Sequence, residues 1–347
     1  MTKEYKEFSE WYLKTFSSGI LTSMLKNLDQ YRRKLYVSPR VMQQALNYIN
    51  TAVSHAHSWK LIKPHMLQII QDIVFPLMSY SEADAELWDT DPYDYIRIKF
   101  DIFEDFVSPV TAAQTLLHSA CKKRKEMLQK TMNLLLSIIQ TAGTTPSQKD
   151  GALHMIGTMA DILLKKPVYK EQMEKFLVEI VFPEFNSPHG HLRARACWVL
   201  HYFSDVKYQN EQVLAEAFRY TFYLFSWLPF HFPLFRLTIH CLLHDKEPPV
   251  KVEAAIALQM MLSSKGDLAK KYLEPQIREI TLELLKIIRE TENDDLTTVM
   301  QKIVCTYTEQ LVPVAVDICQ HLVGTFAQVR ISSDSMLIAF RSFHWLI

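Results

Sequence analysis

Two histidines at helical spacing are the first residues in this sequence that could hold a metal ion. In the run HCLLH (residues 240–244) the imidazoles stand at i and i+4, which would place both on one helix face, where they could ligate zinc. The members of the pairs His55/His57 and His189/His191 stand at i and i+2, so they do not face each other on a helix. Because no second pair at metal-ligand spacing accompanies any of them, we expect structural histidines, no metal site and no cofactor.

Motifs for nucleotide binding or hydrolysis do not occur. Gly151 and Gly157 are not followed by Gly-Lys-Ser/Thr, and there is no G-x-G-x-x-G, G-x-S-x-G or H-E-x-x-H. The chain has 7 glycines in 347 residues, roughly 2% where about 7% is usual. Enzymes that cradle phosphates use glycine at positions of positive φ. We therefore expect an all-α protein that is not an enzyme.

Two acidic clusters are the strongest charge pattern, and both fall where one predicted helix gives way to the next. The first has six acids and no base, with Trp88 among them: Glu82, Asp84, Glu86, Asp89, Asp91 and Asp94. The second comprises Glu290, Glu292, Asp294 and Asp295. One interpretation is a solvated inter-helix loop and an acidic helix N-terminus, which complements the helix dipole. The other is a surface for basic partners, in which Trp88 offers a cation–π face.

Composition indicates a folded chain with a large core. Of its residues, 48% are hydrophobic, and 38 Lys+Arg balance 38 Asp+Glu, which disfavours disorder and a basic nucleic-acid or membrane-surface binder. The five cysteines are odd in number and far apart, as expected of free thiols in a reducing compartment. The N-terminus does not resemble a secretory signal. The basic run at residues 122–125 is interpreted as a solvated helix joint, or otherwise as a contact for an acidic partner.

A helix-start signal recurs along the chain. Ser/Thr-Pro occurs at residues 38–39, 108–109, 145–146 and 187–188, and Pro-Pro replaces it at 248–249. The hydroxyl suits an N-cap and the proline suits the first helical position. Each pair precedes an Ala-containing helical run, and we expect the small residues there to let a neighbouring helix approach closely. Two intervening helices end in the same letters, at residues 73–76 and 180–183 (IVFP), where the proline should stop each helix.

The helical runs share a period. Ala152, Ala196, Ala254 and Val299 are spaced by 44, 58 and 45 residues. The first and third spacings match the 40–47 residues of a HEAT or armadillo repeat with two helices, and the second is longer. We therefore predict a HEAT-repeat α-solenoid of antiparallel helix pairs, each covering the apolar face of the next. The alternative is an irregular helical domain with chance periodicity.

The longest gap coincides with an aromatic segment. The run of residues 220–235 is uncharged, but its length, two prolines and histidine argue against a membrane span. We interpret it as extra or replaced sequence, of the kind that an altered splice or gene model produces. The predicted organisation is HEAT repeats over 1–217, an atypical aromatic segment over 218–236, HEAT repeats over 237–328 and an atypical tail over 329–347.

Several strings resemble a known family. LWDTDPYDYIRIKFDIFEDFVSPVTAAQTLL (residues 87–117) resembles the D-P-x-x-Y-I-R segment of the importin-beta superfamily of nuclear transport receptors. KDGALHMIGTMADILLKK (149–166), RARACWVLHYF (193–203), PVKVEAAIALQ (249–259) and RETENDDLTTVMQKI (289–303) are similar to its importin-seven and importin-eight branch. Residues 218–236 and 331–347 depart from the family pattern.

The resemblance implies a central segment of a receptor about three times longer, without the arch that carries the main contact with the GTPase Ran. It implies a protein that shuttles between cytoplasm and nucleus and binds basic protein cargo, Ran and nucleoporin Phe-Gly repeats, but neither nucleic acid nor membrane. Family receptors meet basic cargo with acidic inner-surface residues, for which Asp94, Glu104 and Asp105 are candidates here. A helical-repeat scaffold outside transport is the alternative function, and an enzyme would rest on the histidine pair alone.

Overall fold

The computed structural model describes residues 5–101, 107–206, 233–291, 293–316, 318–320 and 323. Within these ranges the regular elements are helices and there is no strand, which confirms the all-α prediction. No helix in the described part is long and apolar enough to cross a membrane. The α-helices are α1 (Lys6–Thr15), α2 (Ser17–Arg32), α3 (Pro39–Ser54), α4 (Ala56–Ile69), α5 (Phe75–Met78), α6 (Glu82–Thr90), α7 (Pro92–Lys99), α8 (Pro109–Lys123), α9 (Lys125–Gln140), α10 (Pro146–Thr158), α11 (Ala160–Leu163), α12 (Pro167–Phe176), α13 (Gly190–Tyr202), α14 (Pro233–His244), α15 (Pro248–Leu273), α16 (Ile277–Thr291), α17 (Asp294–Thr306) and α18 (Thr308–Leu311).

The helices form two compact units. The first combines residues 1–81 with 101–166, and the second combines 82–100 with 167–347. In the first unit the Ala-containing helices α3 and α8 pack together, and in the second α13 packs on α15. Ala45 and Ala113 in the first pair, and Ala196 and Ala254 in the second, have no exposed surface. Small side chains at these positions let neighbouring helices approach closely, as the sequence pattern predicts.

The residues chosen to mark the repeat are core residues. Ala152, Ala196, Ala254 and Val299 all have 0% exposure, each on a different helix. The apolar spacing of the sequence predicts partner helices over residues 124–140 and 277–289, and α9 and α16 lie over these ranges. Residues 207–232 and 324–347, with most of the atypical aromatic segment and the whole atypical tail, are outside the described residues.

Four of the five helix-start signals are confirmed. The Ser38, Ser108 and Thr145 side chains cap α3, α8 and α10, with proline next in each case. Thr145 and Gln148 form a reciprocal capping box, and α15 begins at the Pro-Pro pair without a side-chain cap. The fourth Ser-Pro pair differs, because α13 begins only at Gly190. There the carbonyl of Ser187 accepts a hydrogen bond from Arg193, which holds the two preceding residues in a turn.

The shared IVFP letters do not stop their helices at the proline, so that prediction is wrong in detail. Each proline follows a π-helical turn, Ile70–Val74 in one case and Leu177–Val181 in the other. The chain then continues as α5 or as a 3₁₀ turn, Phe182–Asn186. A wider turn shifts the hydrogen-bond register, so the proline that follows fits without breaking the helix at once. The same four residues therefore accompany a π-helical turn in both units.

The basic run at residues 122–125 forms a helix joint, as interpreted. Arg124 separates α8 from α9, donates a 2.7 Å hydrogen bond to the Val53 carbonyl and stacks 4.6 Å from the Trp59 ring centroid. A cation at the C-terminal carbonyls of α3 is favourable for the helix dipole. Arg124 therefore ties this joint to the end of α3 and to α4.

Candidate functional site

The first acidic cluster forms two short helices rather than a solvated loop. Asp91 separates α6 from α7, and its carboxylate accepts hydrogen bonds from the backbone N–H groups of Tyr93 (3.1 Å) and Asp94 (2.9 Å). Pro92 occupies the first position of α7. The loop interpretation is therefore wrong: Asp91 and Pro92 are a strong N-cap signal placed between two runs of helix-forming residues.

The hairpin of α6 and α7, residues 82–99, packs on helices far away in the sequence. Within the second unit α7 contacts α15 and α16. Ile96 is fully buried, Trp88 is 7% exposed, and the Trp88 and Tyr95 rings meet edge-on with centroids 4.9 Å apart. The Tyr93 hydroxyl donates a hydrogen bond to Glu290 over 3.3 Å. This α6–α7 strap adds contacts that helices touching only their neighbours in sequence would lack.

Glu247, just before α15, is the residue to which the strap is hydrogen-bonded. Its carboxylate accepts one hydrogen bond from the Trp88 indole N–H and another, 3.0 Å long, from Arg193. Arg193 also donates two bonds to Asp245, at 2.7 and 3.0 Å. The paired carboxylates raise the pKa of Arg193. The guanidinium is thereby fixed, and it fixes the Glu247 carboxylate that anchors Trp88.

Gly190, the first residue of α13, makes room for this anchor. A methyl group on its Cα would lie 2.5 Å from Glu247 Cδ and 2.7 Å from Oε1, and closer still to Oε2. Carbon and oxygen atoms do not approach to these distances without displacement. Glycine is therefore required here for close packing and not for an unusual backbone conformation. Neither Gly190, Arg193 nor Glu247 was selected from the sequence.

The six acids of the strap divide into paired and outward-facing groups. Asp84 forms a 2.7 Å ion pair with Lys99, and Asp94 pairs with Arg97 at 3.2 Å. The other four acids are exposed: Glu82, Glu86, Asp89 and Asp91. Trp88, by contrast, is buried among residues of its own unit, so the cation–π face expected of it is not available.

The described residues also include most of the second acidic cluster. Glu290 is on α16 and accepts the Tyr93 hydrogen bond; burial and this carboxylate raise the pKa of Tyr93. Asp294 and Asp295 occupy the first two positions of α17, which Asn293 caps, as expected of an acidic helix N-terminus. The predicted contacts Glu104, Asp105 and Glu292 lie outside the described residues.

An apolar pocket in the first unit was not predicted. It lies between α2 and the helix formed by α4 and its π-helical turn, and its volume is about 150 Å³. Four aliphatic side chains line it: Leu25, Leu28, Ile69 and Ile73. Asp29, Arg32, His65, Gln68 and Asp72 complete the lining. The i, i+3 and i, i+4 spacings of the aliphatic residues were visible in the sequence, but nothing local showed that the two helices would leave a gap.

The histidine pair that could hold zinc lies on α14, with ring centroids 5.2 Å apart. Burial lowers the pKa of His240. No group of three His, Cys, Asp or Glu side chains suited to a metal ion occurs in the described part of the chain. Cys121, Cys197 and Cys241 are buried thiols, and burial raises the pKa of Cys121 to about 12. A closed zinc site needs four ligands, and the residues that the structure describes bring no third one to this pair.

Comparison with known proteins shows that the chain is similar to a segment of longer relatives. No family model matches it. Human Importin-8 is 51% identical over 334 residues, covering 96% of this chain and 30% of the relative. The chain therefore matches a segment of an importin-beta family protein along almost its whole length. Mouse Importin-8 is 50% identical, and the match covers 96% of this chain and 31% of the relative. The importin beta-like SAD2 homolog of Arabidopsis thaliana is 31% identical, and the match covers 92% of this chain and 30% of the relative.

Solved karyopherin structures share the fold of this chain. The karyopherin Kap121p bound to the extreme C-terminus of the protein phosphatase Cdc14p gives a TM-score of 0.59 at 16% identity, covering 97% of this chain and 30% of that one. Kap121p bound to Nup53p gives 0.58 at 15% identity, covering 97% and 29%. The fold is thus the HEAT-repeat α-solenoid predicted from the sequence. The chain spans about 30% of the length of the curated relatives.

Proposed function

We propose that this chain is a cargo-binding segment of a nuclear transport receptor that shuttles between cytoplasm and nucleus. The observation that carries the proposal is the 51% identity to human Importin-8 along almost the whole chain. The described helices supply a second argument, because a stack of helix pairs offers long binding surfaces without any catalytic centre. The family relatives are importins, and the sequence contains none of the enzyme motifs sought above.

The outer face of the strap is our candidate surface for basic cargo. Glu82, Glu86, Asp89 and Asp91 are exposed within ten residues, on helices whose other side is fixed by Trp88. Carboxylates held on rigid helices attract Lys- and Arg-rich segments and lose little conformational entropy on binding. Glu290, Asp294 and Asp295 belong to the same unit and extend the negative charge in our proposal.

A charge-neutralised variant tests this surface. We expect Glu82→Gln, Glu86→Gln and Asp89→Asn together to weaken binding of a Lys/Arg-rich peptide at least tenfold, measured by fluorescence anisotropy at low salt. The matched control is Glu171→Gln with Glu179→Gln, two exposed acids elsewhere in the second unit. Equal losses in the two variants would indicate non-specific attraction and would contradict a cargo site on the strap.

The pocket between α2 and α4 is our candidate site for nucleoporin Phe-Gly repeats. Leu28, Ile69 and Ile73 are at most 5% exposed and give it an apolar floor, which suits an inserted aromatic side chain. We expect Leu25→Asp to abolish binding of a Phe-Gly peptide in NMR titration. A Ser-Gly peptide should not bind either protein, and unchanged Phe-Gly binding by the variant would refute this location.

Ran control is the part of the proposal that separates a receptor from a scaffold. We expect this chain alone to bind Ran-GTP more weakly than nanomolar, because the resemblance assigns the main Ran contact to a part of the family not matched here. Calorimetry with Ran-GTP checks that expectation. A proteomic pull-down from cytosol, with and without Ran-GTP, tests the function: a longer receptor form should release cargo with the nucleotide-bound GTPase, whereas a scaffold would retain its partners.

A further inference from the structure

The turn between α2 and α3, residues 33–37, has a fixed backbone. Lys34 has φ of 60°, in the left-handed region that non-glycine residues rarely adopt. Its N–H donates to the Tyr31 carbonyl at 2.8 Å, and the Leu35 N–H donates to the Gln30 carbonyl at 3.0 Å. These are the two hydrogen bonds of a Schellman C-cap. Ser38 then caps α3, so the turn is held at both ends.

This rigid turn exposes apolar side chains. Tyr36 is 87% exposed and Leu35 is 57% exposed, while Val41, in the first turn of α3, is 42% exposed. In a Schellman motif the apolar residue that follows the left-handed position ordinarily packs back on the helix. Leu35 instead contributes to an outward apolar patch. Tyrosine presented on a fixed backbone is typical of protein-binding hot spots, because little entropy is lost when it is covered.

The flanks of the turn are basic. Residues 26–40 contain five cations, Lys26, Arg32, Arg33, Lys34 and Arg40, and a single acid, Asp29. Asp29 pairs with Arg32 at 2.6 Å and with Arg33 at 2.7 Å, and these arginines lower its pKa. One carboxylate cannot balance five cations, so the segment carries an excess of positive charge in a chain whose formal net charge is zero.

We propose that the α2–α3 turn is a docking surface for an acidic protein segment that carries an aliphatic side chain. The excess cations select an acidic partner, and Leu35, Tyr36 and Val41 select one with an apolar residue between its acids. A nucleic acid is a poorer fit, since two of these three side chains are aliphatic and cannot stack on bases. This inference does not depend on the cargo surface, which has the opposite charge, and it shares Asp29 and Arg32 with the lining of the pocket between α2 and α4.

The test uses the full chain and a defined probe. The probe is a fluorescein-labelled peptide, Glu-Asp-Glu-Leu-Leu-Glu-Asp-Glu, and binding is followed by anisotropy at 50 and 200 mM salt. Its controls are a peptide with Ser-Ser in place of Leu-Leu, a peptide with Gln in place of all acids, and a single-stranded oligonucleotide. We expect micromolar binding of the probe, weaker at the higher salt, and at least tenfold weaker binding of each control.

Variants locate the site. Tyr36→Ala and Arg40→Gln should each weaken probe binding at least fivefold without changing thermal unfolding, because both side chains are exposed. Val168→Ala, at a 69% exposed residue of the second unit, is the matched control and should change nothing. Absence of probe binding, oligonucleotide binding as tight as the probe, or unaffected binding by Tyr36→Ala would each overturn the proposal.

Discussion

The substitution Gly190→Ala tests the contact that anchors the strap within the second unit. The added methyl group would overlap the Glu247 carboxylate, which would have to move away from both Trp88 and Arg193. A hydrogen bond to a charged group contributes about 1.5–3 kcal/mol, and the partly exposed ion pair with Arg193 about 0–1 kcal/mol. Replacing glycine in a helix returns up to about 1 kcal/mol. We therefore expect a net loss of about 2 kcal/mol in the free energy of unfolding.

Calorimetry and hydrogen exchange measure this loss. For a unit of this size, about 2 kcal/mol corresponds to a fall in Tm of roughly 4–8 °C. Amides of α6 and α7 should exchange faster in the variant, since the strap has lost its anchor. Gly19→Ala is the matched control: nothing lies within 4 Å of a methyl group there, so that variant should gain about 0.5–1 kcal/mol.

A double-mutant cycle identifies the contact responsible. In a Glu247→Ala background the obstruction is gone, so adding Gly190→Ala should cost nothing or stabilise slightly. If Gly190→Ala behaves like Gly19→Ala in the native background, or costs as much with Glu247 removed, the anchor described here does not exist.

Three further predictions concern other parts of the fold. Gly151→Ala should lower stability by about 1–3 kcal/mol in urea unfolding, because its methyl group would lie 3.0 Å from Ser79 Cβ and 3.1 Å from Ser79 Cα. An unchanged urea midpoint would contradict this packing. Thr145→Ala should cost about 1 kcal/mol by the same assay through loss of the capping box with Gln148, and a serine in its place should restore most of it. Burial lowers the pKa of His201 in the folded chain. When the pH falls below the ordinary pKa of histidine, the unfolded chain therefore binds a proton first and the stability falls. His201→Gln should flatten the fall of Tm between pH 7 and 5, and an unaltered slope would disprove the assignment.

Local signals in the sequence predicted four of the helix starts and the burial of the small side chains on those helices. The cap at Ser38 or Thr145 depends on three or four consecutive residues, and the burial of Ala196 or Ala254 depends on one helical period. Both are properties of short stretches, so they can be recognised without knowing the tertiary fold. The repeat period followed from the same information.

The features that were missed depend on distant residues. Trp88 and Glu247 are 159 positions apart, and the alternating acids around Trp88 look the same whether the segment is free or docked. The IVFP prediction failed for a different reason: both runs contain the end of a π-helical turn, which the proline alone does not predict. The pocket beside Ile73 likewise depends on how two helices meet.

The most direct test of the receptor assignment is a chimera in human Importin-8. This chain would replace the segment it matches at 51% identity, and nuclear accumulation of a fluorescent Importin-8 cargo would be followed in permeabilised cells. We predict accumulation that requires Ran-GTP, with a rate close to that of the parent receptor. A folded chimera that binds Ran-GTP through its parent sequence yet leaves the cargo in the cytoplasm would contradict the assignment.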